Sequence, residues 1–252
     1  MQLRRFGLSI LFLVASMLDV RGELVTLYDG NGLPASQPWL TFAADTFNGW
    51  SQSSVSGGVR LTTDLATRSG YSNYNPLPTP TLKNANFPIL RRANGFELSF
   101  RSALLMENHL NSSRAGYSVI LLADDNRGIE LGFWQSEIWA QNLDFTHGEG
   151  VSIDTTVTRD YRLEVFEDQY RLLEGNNSLL VGTLRTYSSP AIPYGLPNYV
   201  FLGDNTTSAS GTIVQGSIQL RSDLSSVPEP SSMLLTCMIC LAGILRRIHT
   251  KR

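Results

Sequence analysis

The stretch YSVILLADDNRGIELGFW, residues 117–134, decides how this chain folds. Two apolar runs, 117–123 and 129–134, flank the polar DDNRG, whose last residue is glycine; this is the pattern of two strands joined by a turn. In the second run the side chains alternate, so Ile129, Leu131 and Phe133 share one face and Glu130, Gly132 and Trp134 the other. The same period of two recurs outward in both directions. FELSFR (96–101) alternates, YRLEVFE and YRLLE flank DQ between 161 and 174, GNN (175–177) turns into SLLVGTL, and YVFLGD is followed by GTIVQGSIQLR. Between residues 23 and 223 no stretch of ten or more residues carries the 3.6 period of an amphipathic helix. Short strands with Gly, Asn and Asp turns predict an antiparallel β-sandwich or barrel. Residues 72–88 hold four prolines and read as an ordered surface loop or edge, and no internal repeat is evident.

A chain of 252 residues accommodates one large domain, and a sandwich of about 200 residues buries enough surface to stand without crosslinks. The only cysteines, Cys237 and Cys240, lie in an apolar C-terminal segment, which leaves the body without a disulfide. Between 23 and 230 there are thirteen basic and twenty-one acidic residues, including a single lysine, Lys83. An acidic body of this kind lacks the cationic stripe that neutralises phosphates, which excludes nucleic acid as a partner.

Both ends read as targeting segments. Residues 1–22 combine two arginines, an apolar run and a small residue at Gly22, the layout of a secretory signal peptide that engages the translocon and signal peptidase. Residues 223–230 form a polar linker ending in VPEP, residues 231–245 are free of charge, and residues 246–252 contain Arg246, Arg247, Lys251 and Arg252. As a helix, 231–245 would be roughly 22 Å long, short of a hydrocarbon core of about 30 Å. The basic residues would stay on the cytoplasmic side.

The order Val227, Pro228, Glu229, Pro230, then an apolar helix, then a basic cluster resembles the PEP-CTERM sorting signal of exported bacterial proteins. The resemblance implies an exosortase-type transpeptidase as partner, an inner-membrane intermediate, and delivery to the cell surface or an exopolysaccharide matrix. The strand succession of the body resembles the jelly roll of concanavalin A-like and laminin-G-like domains, which implies a fold only. The expected domain is thus an all-β antiparallel sandwich (jelly roll) over 23–222, flanked by a signal peptide and a short transmembrane helix.

Chemistry is harder to read. The E-x-D-x-x-E spacing that puts paired acids on one strand of a jelly-roll glucanase is absent, and Gly132 stands where a second acid would project. Glu130, Trp134, Glu137 and Trp139 form a candidate ligand face, since indoles beside a carboxylate suit a sugar; ordinary packing between sheets is the alternative. His147 with Glu149 is the remaining catalytic candidate, without a nucleophile elbow or a second metal-spaced histidine. Asp124, Asp125, Asp204 and Asn205 fall in turns and are candidate calcium ligands, although Asp and Asn form turns without any ion. No other cofactor is indicated. The expected function is a non-enzymatic adhesion or glycan-associated module; the alternatives are a carbohydrate-active hydrolase whose acids come from different strands, and an inert matrix component.

Overall fold

The computed structural model describes residues 22–76, 79–187 and 193–224. The first strands are β1 (Leu24–Tyr28), β2 (Thr41–Ala44), β3 (Trp50–Val55), β4 (Gly58–Thr63) and β5 (Ser69–Ser72), followed by the short β6 (Tyr74–Asn75) and β7 (Thr81–Leu82). The middle of the chain forms β8 (Phe96–His109), β9 (Tyr117–Leu122), β10 (Gly128–Trp134), β11 (Glu137–Gln141) and β12 (His147–Ser152). The last are β13 (Arg159–Phe166), β14 (Gln169–Glu174), β15 (Asn177–Thr183), β16 (Val200–Asp204) and β17 (Ala209–Arg221).

All pairings are antiparallel, and two sheets account for most of them. The first runs β15-β14-β13-β8-β17-β4-β3, with β1 also pairing β17; the second runs β12-β11-β10-β9-β16-β5-β2. The deciding hairpin forms in the expected register, with Gly128 opposite Leu122 and Phe133 opposite Tyr117. The long pair β8–β17 binds the first sheet together from Glu97–Arg221 to His109–Ala209, interrupted by two irregularities in register.

Alternation then fills the space between the sheets. Ile129, Leu131 and Phe133 from β10 and Val119 and Leu121 from β9 meet Leu98, Phe100, Leu163 and Ile218 from the first sheet. Phe133 is the hub: its ring centroid lies 4.9 Å from Tyr117, 5.7 Å from Tyr161 and 6.2 Å from Phe100. Complete burial of such a ring stabilises the fold by about 2–3 kcal/mol. Some polar groups that cross the interior are paired with one another, which offsets the cost of burying them. Tyr117 donates to Gln215 Oε1 (2.8 Å), and Gln215 Nε2 donates to the Arg101 carbonyl (3.0 Å).

Within the proline-rich stretch 72–88, β5 ends at Ser72 and β6 pairs with β7. Lys83 follows, and its ammonium donates to the carbonyls of Ala35, Gln37 and Leu40.

The signal-peptide reading of 1–22, apart from Gly22, lies outside the described residues. So do the sorting motif Val227–Pro230, the helix at 231–245 and the basic cluster at 246–252. Among the described residues no helix is long and apolar enough to cross a membrane, and the one helical turn is the short Pro34–Ser36. The expected fold class is therefore corrected to what the described residues form, an antiparallel β-sandwich with no membrane-crossing helix among them. The PEP-CTERM assignment and the inner-membrane intermediate, which rested on that helix, are not carried further.

Candidate functional site

The outer face of the second sheet is organised in rows across its strands. One row runs Glu130, Ile120, Phe201, Ser72 and Thr41, each opposite the next. The adjacent row runs Gly132, Ser118, Gly203, Gly70 and Ala43. It is almost bare of side chains. At its centre β16 and β5 approach so closely that a Cβ on Gly203 would lie 2.4 Å from Gly70 Cα, which keeps both positions glycine.

Large side chains from the chain around 187–201 cover part of this face. Tyr74, Tyr187, Tyr194, Tyr199 and Phe201 pack with Ile120 and Leu122 into a second apolar cluster, separate from the core between the sheets. Phe145 closes one side, 5.2 Å from Tyr194 and 5.8 Å from Tyr187, with the Arg114 guanidinium over its ring. Its φ of 59° is left-handed, a conformation costly for a bulky side chain, by roughly 1–3 kcal/mol. Such strain is sustained here by the aromatic contacts on which the ring is seated.

Under this cover lies Glu130. It is almost completely buried. Its backbone N–H donates to Tyr187 Oη (3.0 Å), whose own hydroxyl donates to the Gln141 carbonyl (3.0 Å). The Tyr194 hydroxyl donates to Glu130 Oε2, while Asn205 Nδ2 donates to Tyr194 Oη (3.0 Å) and reaches Glu130 Oε1 at 3.5 Å. Burial pushes the carboxyl above its ordinary range, against the opposing pull of the Tyr194, Asn205 and Ser118 hydrogen bonds. Burial likewise raises Tyr194, and the neighbouring Glu130 adds to that rise. Both groups therefore hold their protons more tightly than in water.

Asn205 joins this pair to a cleft of about 500 Å³ on the same face. Ala43, Ala44, Ser69 and Ser72 line its strand side, Asp45 and Arg68 its lip, and Tyr74, Leu196, Tyr199 and Phe201 its apolar wall. The Tyr199 and Phe201 rings are nearly parallel, 8° between planes with centroids 6.4 Å apart. Ser69 Oγ, on the inward face of β5 opposite Asp204, is buried without a hydrogen-bond partner.

The expected ligand face is placed differently. Trp139 is fully buried, its indole against Gly132 and its outer side against the His147 ring at 4.5 Å and 18°. Trp134 is half-buried, stacked on His109 at 4.4 Å and donating to the Arg114 carbonyl at 2.8 Å. Glu137 lies 3.3 Å from His147 Nε2. These side chains form an aromatic and imidazole stack at one end of the sheet, and Glu130 alone of the four faces the Tyr194–Asn205 cluster. Glu149 stands apart from His147, bonded to Arg185 (2.5 Å) and Tyr170 (2.7 Å).

The candidate calcium ligands do not converge. Asp125 takes the Arg92 guanidinium at 2.6 Å and Asp124 is exposed in the same turn. Asp204 points between the sheets, accepting from Thr63 (2.6 Å) and from the Thr206 N–H (3.0 Å). The two pairs lie at opposite ends of β9, roughly 20 Å apart along a strand of this length. Among the described residues no three His, Cys, Asp or Glu gather as a metal group.

Tyr194, Tyr199, Phe201, Asp45 and Arg68 were not singled out in the sequence. The available signal was TYSSPAIPYGLPNY, residues 186–199, with three tyrosines in a proline-rich connection.

No family model and no curated protein matches the chain. Among solved structures it is similar to the carbohydrate esterase vb_24B_21 from the Shiga toxin-encoding bacteriophage phi24B, with TM-score 0.49, 11% identity, and 73% of this chain and 90% of that one covered. An alginate lyase from Corynebacterium sp. aligns with TM-score 0.45 and 12% identity over 76% of this chain and 99% of the other. The exoplasmic/lumenal domain of VIP36, in a form bound to Ca2+ and Man3GlcNAc, aligns with TM-score 0.40 and 14% identity over 78% and 88%. At these identities the likeness is one of fold alone. The expectation of a non-enzymatic module is corrected on the site's own geometry, in which Glu130 is buried and hydrogen-bonded to Asn205 on the wall of a cleft.

Proposed function

We propose that the chain is a carbohydrate-active protein that takes a saccharide in the aromatic cleft of the second sheet, with the Glu130–Tyr194 pair handling the proton. The observation that carries this reading is the double role of Asn205, which lines the cleft and hydrogen-bonds Tyr194 and Glu130 behind it. Tyr199 and Phe201 supply flat apolar surface for the face of a sugar ring, and Ser72 and Asn205 supply hydroxyl and amide groups for its hydroxyls.

The reaction this supports uses one acid. Two-carboxylate glycoside hydrolysis needs its acids about 5–9.5 Å apart. The carboxylate that lines the cleft, Asp45, follows β2, four strands from Glu130, roughly 19 Å across the sheet at 4.8 Å per strand. A buried carboxyl with a raised proton affinity is suited to donate a proton to a departing oxygen.

The test is calorimetric titration with oligosaccharides, coupled to mass spectrometry of products. Saccharide binding is expected to fall at least tenfold in Ala43→Trp, which fills the cleft from its edge strand. Product formation is expected to fall at least a hundredfold in Glu130→Gln with binding retained. Binding that is absent, or indifferent to the Ala43→Trp plug, overturns the reading; undiminished turnover in Glu130→Gln removes the acid from it.

A further inference from the structure

Resting on the reading of the cleft as a saccharide site, we infer that it selects neutral sugars, and that Asp45 is the residue that sets this selectivity by cancelling the charge of Arg68. The inference begins with an inventory of charge. Arg68 is the single cation among the described residues that line the cleft. Its Nε donates to Asp45 Oδ2 at 2.5 Å, and the Asp45 N–H donates to the Arg68 carbonyl at 3.1 Å. The two are therefore paired through both side chain and backbone, one step beyond the Ala44–Ser69 pairing of β2 and β5.

A sugar carboxylate or sulfate is recognised by uncompensated positive charge, preferably a free guanidinium fork. Here the lip is neutral as a whole. Both members of the pair are largely exposed, and an exposed ion pair contributes little by itself. Exclusion of an anion therefore comes from the balance of charge rather than from the strength of the bond. An incoming carboxylate that reaches Arg68 also meets Asp45. What remains for recognition is hydroxyl chemistry. Asn205 turns its Nδ2 inward to Tyr194 and Glu130, which leaves its carbonyl oxygen to accept from a ligand hydroxyl.

The experiment compares the full-length protein with Asp45→Asn against hexasaccharides of equal length: neutral manno- and xylo-oligosaccharides and the uronic oligogalacturonate, each at 50 and 500 mM NaCl. The wild type is expected to bind a neutral chain at least tenfold more tightly than the uronic one, with little salt dependence. Asp45→Asn is expected to narrow that ratio at least fivefold by strengthening uronate binding, and this gain is expected to fade at high salt. A wild type that prefers the uronic chain, or a ratio unchanged in Asp45→Asn, overturns the inference while leaving a saccharide site in place. Absence of binding to every chain overturns the saccharide reading and the inference with it.

Discussion

A Cβ built on Gly132 would lie 2.7 Å from Cε2 and Cζ2 of Trp139, its cross-strand partner. The indole thus occupies the space a side chain on β10 would need. This explains why Trp139 is buried and why β10 offers one acid on its outer face. Gly132→Ala is expected to lower stability by about 2 kcal/mol through overpacking, with Gly132→Asp worse, as read from the urea midpoint.

Lys83 performs a structural task that its rarity in the sequence did not disclose. Three carbonyls, of Ala35, Gln37 and Leu40, converge on its ammonium, and burial lowers its pKa. Lys83→Met keeps the stem and removes the donor, leaving three partly buried acceptors without it. The expected loss is about 2–3 kcal/mol, and Lys83→Arg is expected to recover little, because a planar fork does not match three converging acceptors. Thermal unfolding of the two variants beside the wild type checks both statements.

The difference between what was legible and what was not follows from the range of the signal. Residues 117–134 specify a hairpin locally, through alternation and a polar turn, and the structure keeps that register. β2, β5 and β6–β7 escaped notice because they are short and rich in Ser, Gly, Asn and Ala, so their pairing depends on the neighbouring strand more than on their own pattern. The site escaped for a related reason. Glu130 was visible as an outward acid, but its surroundings come from Tyr194 and Asn205, 64 and 75 positions away. Indoles at Trp134 and Trp139 looked like a sugar platform because sequence gives the face of a strand and not what lies on top of it.

At the seam where β12 of one sheet approaches β15 of the other, Glu149 takes Arg185 at 2.5 Å and the Tyr170 hydroxyl at 2.7 Å. Burial alone would raise Glu149, but these bonds outweigh it and hold the carboxyl below its ordinary 4.5. The contribution to stability is therefore full above about pH 4.5 and is lost as pH falls through the lower folded value. Glu149→Gln leaves the nearly buried Arg185 without a counter-charge, at an expected cost of about 3 kcal/mol at pH 7. Arg185→Met is expected to cost less, since the half-exposed Glu149 regains water. Acid titration of urea stability should show a shallower decline for Glu149→Gln than for the wild type.

Asp204 carries the opposite sign. Its carboxyl sits between the sheets, where burial raises its pKa to about 8 against the Thr63 and Thr206 hydrogen bonds, with Asp64 and Glu107 adding to the rise. The folded protein therefore retains a proton that the unfolded chain releases near 3.8. Its stabilising contribution is complete below that value and is lost progressively as pH rises to about 8, beyond which the loss is constant. Asp204→Asn keeps a carbonyl to accept from the Thr206 N–H and places an amide beside Thr63 Oγ, and it cannot ionise. It is expected to match the wild type near pH 4 and to exceed it progressively up to about pH 8, the gap widening by about 1.4 kcal/mol per pH unit. Urea unfolding at pH 4, 6 and 8 measures this directly. Parallel pH profiles for the two proteins would mean that Asp204 ionises in the folded state at its ordinary value, with water or a cation reaching it between the sheets.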